Sequence, residues 1–264
     1  MDELVGKVAL VTGANRGLGR VISLRLAKAG AQLVLTGRDQ AGLEETARLI
    51  QEDESLPKIS PLICHMDLLD PPSVGAAVNR AIEVFGRIDI LVNNSGITGK
   101  SAPLWELSEE EWDLAIDTNL KGPFLASKAV IPAMLRQKSG SIIFIGSVTG
   151  KRPLINRSVY AASKLGMVGL MRTLALELGS NGIRVNLISP GFVAGPRLDG
   201  VIKTVAEIEK ISPEEEEAKW LEMIPLAKFV SPENIAEGVL FFASERSAGI
   251  TGDDLNISGG LVMY

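Results

Sequence analysis

Tyr160 and Lys164 stand four residues apart in Tyr160-Ala-Ala-Ser-Lys164, and Ser147 lies thirteen residues before the tyrosine. On a helix that spacing puts the phenol and the ammonium on one face. A phenol titrates near pH ~10, too weakly acidic to trade protons in both directions at neutral pH. A cation close by favours phenolate and lowers that value. A hydroxyl such as that of Ser147 can donate a hydrogen bond to an oxygen on which negative charge develops. The set therefore suits delivery of a proton to, or its removal from, a carbonyl or alcohol oxygen while hydride moves. A Y-x-x-x-K pair by itself reads as a packed tyrosine beside a surface lysine, so the weight falls on the elements around it.

Ser147 ends an apolar strand (Ile142, Ile143, Phe144, Ile145), and Tyr160 opens an apolar-periodic helix. The same alternation runs along the chain. Strands are predicted at Val8–Val11, Gln32–Thr36, Ser60–Met66, Ile88–Val92, Ser141–Ile145, Ile183–Ile188 and Asp254–Ile257, with helical patterns between them. The first helix is expected over Gly19–Gly30, with Val21, Ile22, Leu24, Leu26 and Ala27 at helical spacing and Gly30 as its stop. Continuous apolar strands interleaved with helices indicate an α/β fold with a parallel sheet covered on both faces. No linker divides residues 1–264 and no repeat is visible, so one domain is expected. Between Pro190 and Pro225 the pattern becomes irregular; an insertion over about 193–226 after a strand is expected to be a lid or specificity loop.

Composition narrows the function classes. A net charge of −5 without a basic block argues against nucleic acid or an anionic membrane as partner. Glu214 to Glu217 reads as a solvated helical face. The lone cysteine, Cys64, cannot form an internal disulfide, and with the lone histidine, His65, it cannot assemble a zinc set; both read as strand residues and no metal is expected. With no apolar run of about 18 residues and no leader pattern, a cytoplasmic protein is expected.

The first strand runs into Thr12-Gly13-Ala14-Asn15-Arg16-Gly17-Leu18-Gly19 and then a helix. Glycines there let backbone approach a pyrophosphate, and the helix N-terminus supplies free N–H groups. The spacing, the later Asn93-Asn94-Ser95-Gly96, Ser147 with Tyr160-x-x-x-Lys164, and Pro190-Gly191 together resemble the short-chain dehydrogenase/reductase family, in its 3-oxoacyl-carrier-protein-reductase-like branch. The resemblance spans nearly the whole chain. It implies a Rossmann-type doubly wound sheet of about seven strands and a nicotinamide cofactor held by Gly13, Asn15, Arg16, Gly17, Leu18 and Gly19. Further on, it implies Arg38, Asp67 and Leu68, then Asn94, Ser95 and Gly96, then Pro190, Gly191 and Val193, with Tyr160 and Lys164 also touching the cofactor. Asp67 corresponds to the residue that contacts adenine. Asn119, Ser147, Tyr160 and Lys164 correspond to the family's catalytic set: Asn119 anchors a water leading protons toward the lysine, and Lys164 also holds the nicotinamide ribose. Ser95 departs from the usual alanine. Gly195 stands where the family often has threonine or serine for the nicotinamide carboxamide, which shifts orientation onto backbone such as that of Val193.

A carboxylate past the glycines would bind the ribose diol of NAD, whereas arginine accepts a 2′-phosphate. The second strand ends Leu35-Thr36-Gly37-Arg38, with a glycine where NAD-preferring relatives are acidic. Arg38 and Arg16 together favour NADP over NAD; Asp39 could turn toward Arg38 and partly neutralise it. The expected reaction is NADP-dependent interconversion of a carbonyl and a secondary alcohol with Tyr160 as acid or base, on a small-molecule substrate. Val148, Ile155, Phe192 and Leu198 are expected to line the pocket, with Trp105 near the rim; Arg152, Arg157 and Arg197 could bind an acidic group. A 3-oxoacyl-carrier-protein reductase is the alternative, lowered because Pro132 and Leu176 fall where such reductases carry arginine. A non-catalytic cofactor-binding scaffold or regulator is the other. The resemblance also implies a homotetramer, paired through the Leu104–Ala133 and Tyr160–Leu178 segments.

Overall fold

The computed structural model describes residues 3–56 and 58–264. Seven strands, β1 (Val8–Thr12), β2 (Gln32–Gly37), β3 (Leu62–His65), β4 (Ile90–Asn93), β5 (Gly140–Ile145), β6 (Ile183–Pro190) and β7 (Asp254–Ile257), form one sheet. Their order is β3-β2-β1-β4-β5-β6-β7, and every pairing is parallel. The order reverses between β1 and β4, so a crevice opens beyond their carboxyl ends, the position at which doubly wound sheets bind ligands.

Alternation along each strand feeds two cores. Ala9 and Val11 of β1 join Leu33 and Leu35 of β2 on one face, under α1 (Gly17–Lys28), α2 (Gln40–Glu52) and α9 (Pro232–Ala243). Val8, Leu10 and Val34 face the other way, under α3 (Pro71–Phe85), α5 (Gly122–Gln137) and α6 (Ser158–Leu178). Because both faces are covered, the strands read as unbroken apolar runs. In α1 the fully buried Ile22 and Leu26 are four apart and meet the sheet together. Phe242 of α9 and Phe144 of β5 are the largest fully buried side chains, each worth about 1.5–3 kcal/mol in burial. Cys64 is a buried free thiol on β3, its pKa pushed up by burial, and His65 is its exposed neighbour on the same strand.

The segment read as irregular contains two helices, α7 (Pro196–Glu209) and α8 (Pro213–Glu222). Its prolines start helices rather than break them: Pro196 and Pro213 both fall in a first turn, where a missing N–H costs nothing. Ser212 and Glu215 form a reciprocal capping box at the head of α8. The glutamate run is the start of that helix, but only in part a solvated face, since Glu216 is buried and accepts a hydrogen bond from Trp220 Nε1. The remaining helix, α4 (Glu109–Ile116), leads through a π-helical turn at Asp117–Lys121 into α5. Among the described residues no helix is long and apolar enough to cross a membrane, and no cluster of three or more His, Cys, Asp or Glu is placed to hold a metal.

Candidate active site

The loop from β1 to α1 is packed against the end of β4. A side chain on Gly19 would put its Cβ 2.1 Å from the Gly13 carbonyl oxygen, so glycine is required for this closeness. Gly13 leaves no room either, with Ser95 Oγ 2.8 Å from where a Cβ would sit, whereas beside Gly17 there is open space. Thr12 Oγ1 accepts hydrogen bonds from Asn94 N and Ser95 N, both at 3.0 Å, and Asn94 Nδ2 donates to Thr12 O at 2.9 Å. From the helix side, Arg20 Nη2 donates to Asn15 O at 2.7 Å. The result is a rigid turn with its open side at Gly17 and the N-terminus of α1, a cradle that fits a pyrophosphate. Thr12 and Arg20 brace it and were not among the expected site residues; the strand-end hydroxyl and the arginine one helical turn past Arg16 were the available signals.

At the far end of that cradle, Arg16 is exposed ahead of α1 and Arg38 is exposed after β2. Asp39 does not neutralise Arg38. Its carboxylate caps α2 by accepting from Gly42 N, which is what an aspartate at a helix N-cap does best. Arg38 instead lies 4.0 Å from Asp67, whose other oxygen accepts from Leu69 N. Leu68 is buried under Gly122, so of this pair only Asp67 presents a side chain to the crevice edge.

Ser147 follows β5 and leads a short 3-10 turn, its Oγ accepting from Thr149 N at 3.1 Å. Tyr160 and Lys164 sit on the first turns of α6, with the ammonium 5.7 Å from the phenol ring centroid. Lys164 is 5% exposed and donates from Nζ to Ile145 O at 2.9 Å, so the lysine reaches back to the strand that carries Ser147. Asn119, fully buried in the π-helical turn, exchanges hydrogen bonds with Ile97: Nδ2 to O at 2.9 Å and N to Oδ1 at 2.8 Å. Its Nδ2 also donates to Ser163 Oγ at 3.1 Å, and Ser163 donates to Tyr160 O. Both amide hydrogens are thereby used on protein, and Oδ1, already accepting from Ile97 N, faces Gly96 with one lone pair left. Ser163 thus ties Asn119 to the tyrosine backbone, a link that sequence reading missed.

The electrostatics run opposite to the simplest expectation. Burial holds the Tyr160 phenol above its ordinary value, against the Ser147 hydrogen bond and the charges of Arg197 and Arg157, which pull it down. Lys164 is the group that moves furthest, pushed down to about 7 by burial and by Arg197. A buried ammonium that loses its proton near neutrality stops acting as the cation that would depress the phenol.

Pro190 closes β6 and Gly191 packs on Ser258, leaving no room for a side chain. Val193 bridges to Val230, and Ala194 N donates to Val230 O at 2.9 Å. Phe192, between them, stacks on Trp220 with ring centroids 4.5 Å apart and meets Phe229 edge-on. Helix α8 is thus held against the Pro190–Gly195 segment. Of the expected pocket residues, Val148 and Leu198 are buried in packing, whereas Ile155 and Trp105 project into solvent at 91% and 84% exposure.

Known proteins share this fold. The family model described as Enoyl-(Acyl carrier protein) reductase matches residues 13–262. The 3-oxoacyl-[acyl-carrier-protein] reductase of Thermotoga maritima is 38% identical over 262 residues, 99% of this chain and 100% of that protein. Among solved structures, a variant of actinorhodin polyketide ketoreductase with NADPH superposes with a TM-score of 0.91 at 35% identity, covering 98% of each chain. An NAD+-bound xylitol dehydrogenase gives 0.92 at 28% identity, covering 98% of this chain and all of that one. With a family model spanning nearly its whole length and a seven-stranded doubly wound sheet ending in these motifs, the chain belongs to the short-chain dehydrogenase/reductase family of oxidoreductases, in its 3-oxoacyl-carrier-protein-reductase-like branch.

Proposed function

We propose that this protein is an NADP-dependent oxidoreductase that interconverts a carbonyl and a secondary alcohol, with Tyr160 as the acid or base. The observation that carries the reading is the convergence of Ser147, Tyr160, Lys164 and Asn119 through Ile145, Ile97 and Ser163 at the carboxyl ends of β4 and β5. The nicotinamide cofactor, when bound, supplies or accepts the hydride. Gly13, Asn15, Gly17, Leu18 and Gly19 form its pyrophosphate cradle, Asp67 and Leu68 flank the adenine side, and Asn94 to Gly96 with Pro190, Gly191 and Val193 bound the nicotinamide side. Arg16 and Arg38 supply guanidinium groups for a 2′-phosphate, and their exposure leaves both able to reach one.

In the direction of reduction, Ser147 Oγ donates to the carbonyl oxygen and stabilises the charge that develops there. Tyr160, kept protonated by burial, hands over its proton. Lys164, titrating near neutrality, is placed to replace that proton, and Asn119 holds the Ile97 segment against the lysine's pocket.

A 3-oxoacyl-carrier-protein reductase is the second reading, favoured by the Thermotoga maritima relative. Against it, Leu176 on α6 is 86% exposed and Pro132 lies inside α5, so the positions aligned with the arginines of such reductases present no cation to a carrier.

The test is fluorescence titration with NADPH and NADH, followed by ketone reduction with the tighter cofactor. NADPH is expected to bind at least tenfold tighter, about 1.4 kcal/mol. Tyr160→Phe is expected to keep that affinity and lose about 10² to 10⁴ in turnover. Tighter NADH would overturn the cofactor assignment, full turnover by the phenylalanine variant the proton assignment, and no binding of either would favour the scaffold reading.

A further inference from the structure

Three arginines lie on the segments that flank Ser147 and Tyr160. Arg152, five residues past Ser147, places Nη2 3.8 Å from the Met223 sulfur just after α8. Arg157 immediately precedes α6 and its Nη1 lies 3.5 Å from Thr98 O, spanning from the tyrosine's helix to the segment after Gly96. Arg197 is the second residue of α7, two past Gly195. They come from three different parts of the rim, and the charges of Arg157 and Arg197 both reach the Tyr160 phenol.

None of the three has a carboxylate within 4.0 Å among the described residues; Arg16, Arg20, Arg136, Arg172 and Arg184 have none either, whereas Arg25, Arg38, Arg48, Arg80, Arg87 and Arg246 are each paired with one. In a chain of net charge −5 carboxylates are not scarce. Helix stability does not account for these arginines either. Arg157 occupies the N-cap of α6 without a capping bond, and Arg197 the first turn of α7, where a cation works against the helix dipole. The chain starts α4, α8 and α9 conventionally, with a serine cap and glutamate in the first turn. Guanidinium groups left without counter-ions beside a reacting phenol raise the local potential for an anion and can grip it bidentately. Beside Arg152 and Arg157 lie exposed apolar side chains, Ile155 and Met223, which suit a carbon chain rather than a sugar.

We infer that the substrate is a carbonyl compound with an aliphatic body and an anionic group, a carboxylate or a phosphate, for which Arg157 and Arg197 are the counter-ions and Arg152 the contact at the lid edge. This deepens the reading of Tyr160 as proton donor and rests on it.

The test compares matched ketones with NADPH: 7-oxooctanoate against 2-octanone for the carboxylate, and 6-oxoheptyl phosphate against 2-octanone for the phosphate. The ratio of kcat/KM, anionic over neutral, is expected to reach at least about tenfold for one of the two anions, which identifies the group. It is expected to fall at least fivefold in Arg197→Met and in Arg157→Met, to be held largely by Arg197→Lys, and to be unchanged in Arg172→Gln, an exposed arginine elsewhere on α6. A ratio near one in the unsubstituted protein, or one that neither methionine variant moves, would overturn the inference. If NADPH binds but none of the ketones is reduced, the reading of Tyr160 fails instead. The anion site is then decided by calorimetric titration of the NADPH complex with octanoate and with heptyl phosphate. Binding of either that weakens at least fivefold in Arg197→Met supports the site, and binding indifferent to the substitution rules it out.

Discussion

Lys164 offers the sharpest check on the electrostatics, because its displacement has a sign that stability measurements read directly. Burial favours the neutral amine and places its titration at about 7 in the folded chain, against 10.5 for an ordinary lysine. Between those values the unfolded chain binds a proton that the folded chain does not, so stability rises with pH across that window. Below about 7 both states are protonated and the whole cost of burying the charge is present. At 1.36 kcal/mol per pH unit the full interval amounts to about 5 kcal/mol, of which about 2 kcal/mol is recovered between pH 7 and pH 9, because the group is only half titrated at pH 7. Lys164→Met keeps an apolar stem of similar length and removes the titration. Denaturant unfolding of ligand-free protein at pH 6, 7, 8 and 9, at fixed concentration, isolates this contribution as the difference between the unsubstituted protein and the variant. The unsubstituted protein is expected to gain on the variant by about 2 kcal/mol between pH 7 and pH 9 and by little below pH 7. Tyr160 does not interfere: its pKa is raised from an ordinary 10.0, so its contribution is present below that value and is lost only above it. A difference that stays flat from pH 6 to pH 9 would mean that Lys164 keeps its charge in the folded state, and the account of its pocket would be refuted.

Arg38→Asp is expected to move preference toward NADH, since it replaces a guanidinium at the ribose end by a carboxylate suited to the diol; unchanged preference in paired titrations would discredit the 2′-phosphate assignment. Gly195→Thr, which restores the residue type the resemblance leads one to expect there, is expected to destabilise by about 1–3 kcal/mol because Gly195 has φ +132, a conformation strained for a residue with a Cβ. Equal or greater stability in thermal unfolding would show that the backbone there relaxes freely. Association through α4, α5 and α6 is expected because Leu114, Phe124, Leu135, Leu165 and Leu176 remain exposed on them, and light scattering that reports a ~28 kDa particle at micromolar protein would exclude it.

The fold was legible because burial on both faces leaves a plain signature: each of the seven strands was expected within a few residues of its place, and the glycine turn announced the crevice. The two helices between Pro196 and Glu222 were not, for a physical reason. Pro196 and Pro213 look like breakers when counted by composition, yet each occupies the helix position where proline is tolerated, and only the Ser212–Glu215 reciprocity reveals it locally. Glu216 reads as one of four solvated glutamates until Trp220, one helical turn on, is seen to hold it beneath the surface while stacking on Phe192.

Charge was the least legible property of the site, because the sign of a pKa change depends on burial as much as on neighbours. A lysine four residues from a tyrosine suggests a depressed phenol, but that inference requires the lysine to stay charged, and its pocket against Ile145 and Gly96 opposes this. The cations outside that pocket whose charges reach the phenol are Arg157 and Arg197. Proton transfer and anion recognition then share one electrostatic arrangement. An anion that neutralises the two arginines would also remove the charges that hold the phenol down, raising its proton affinity as the complex forms.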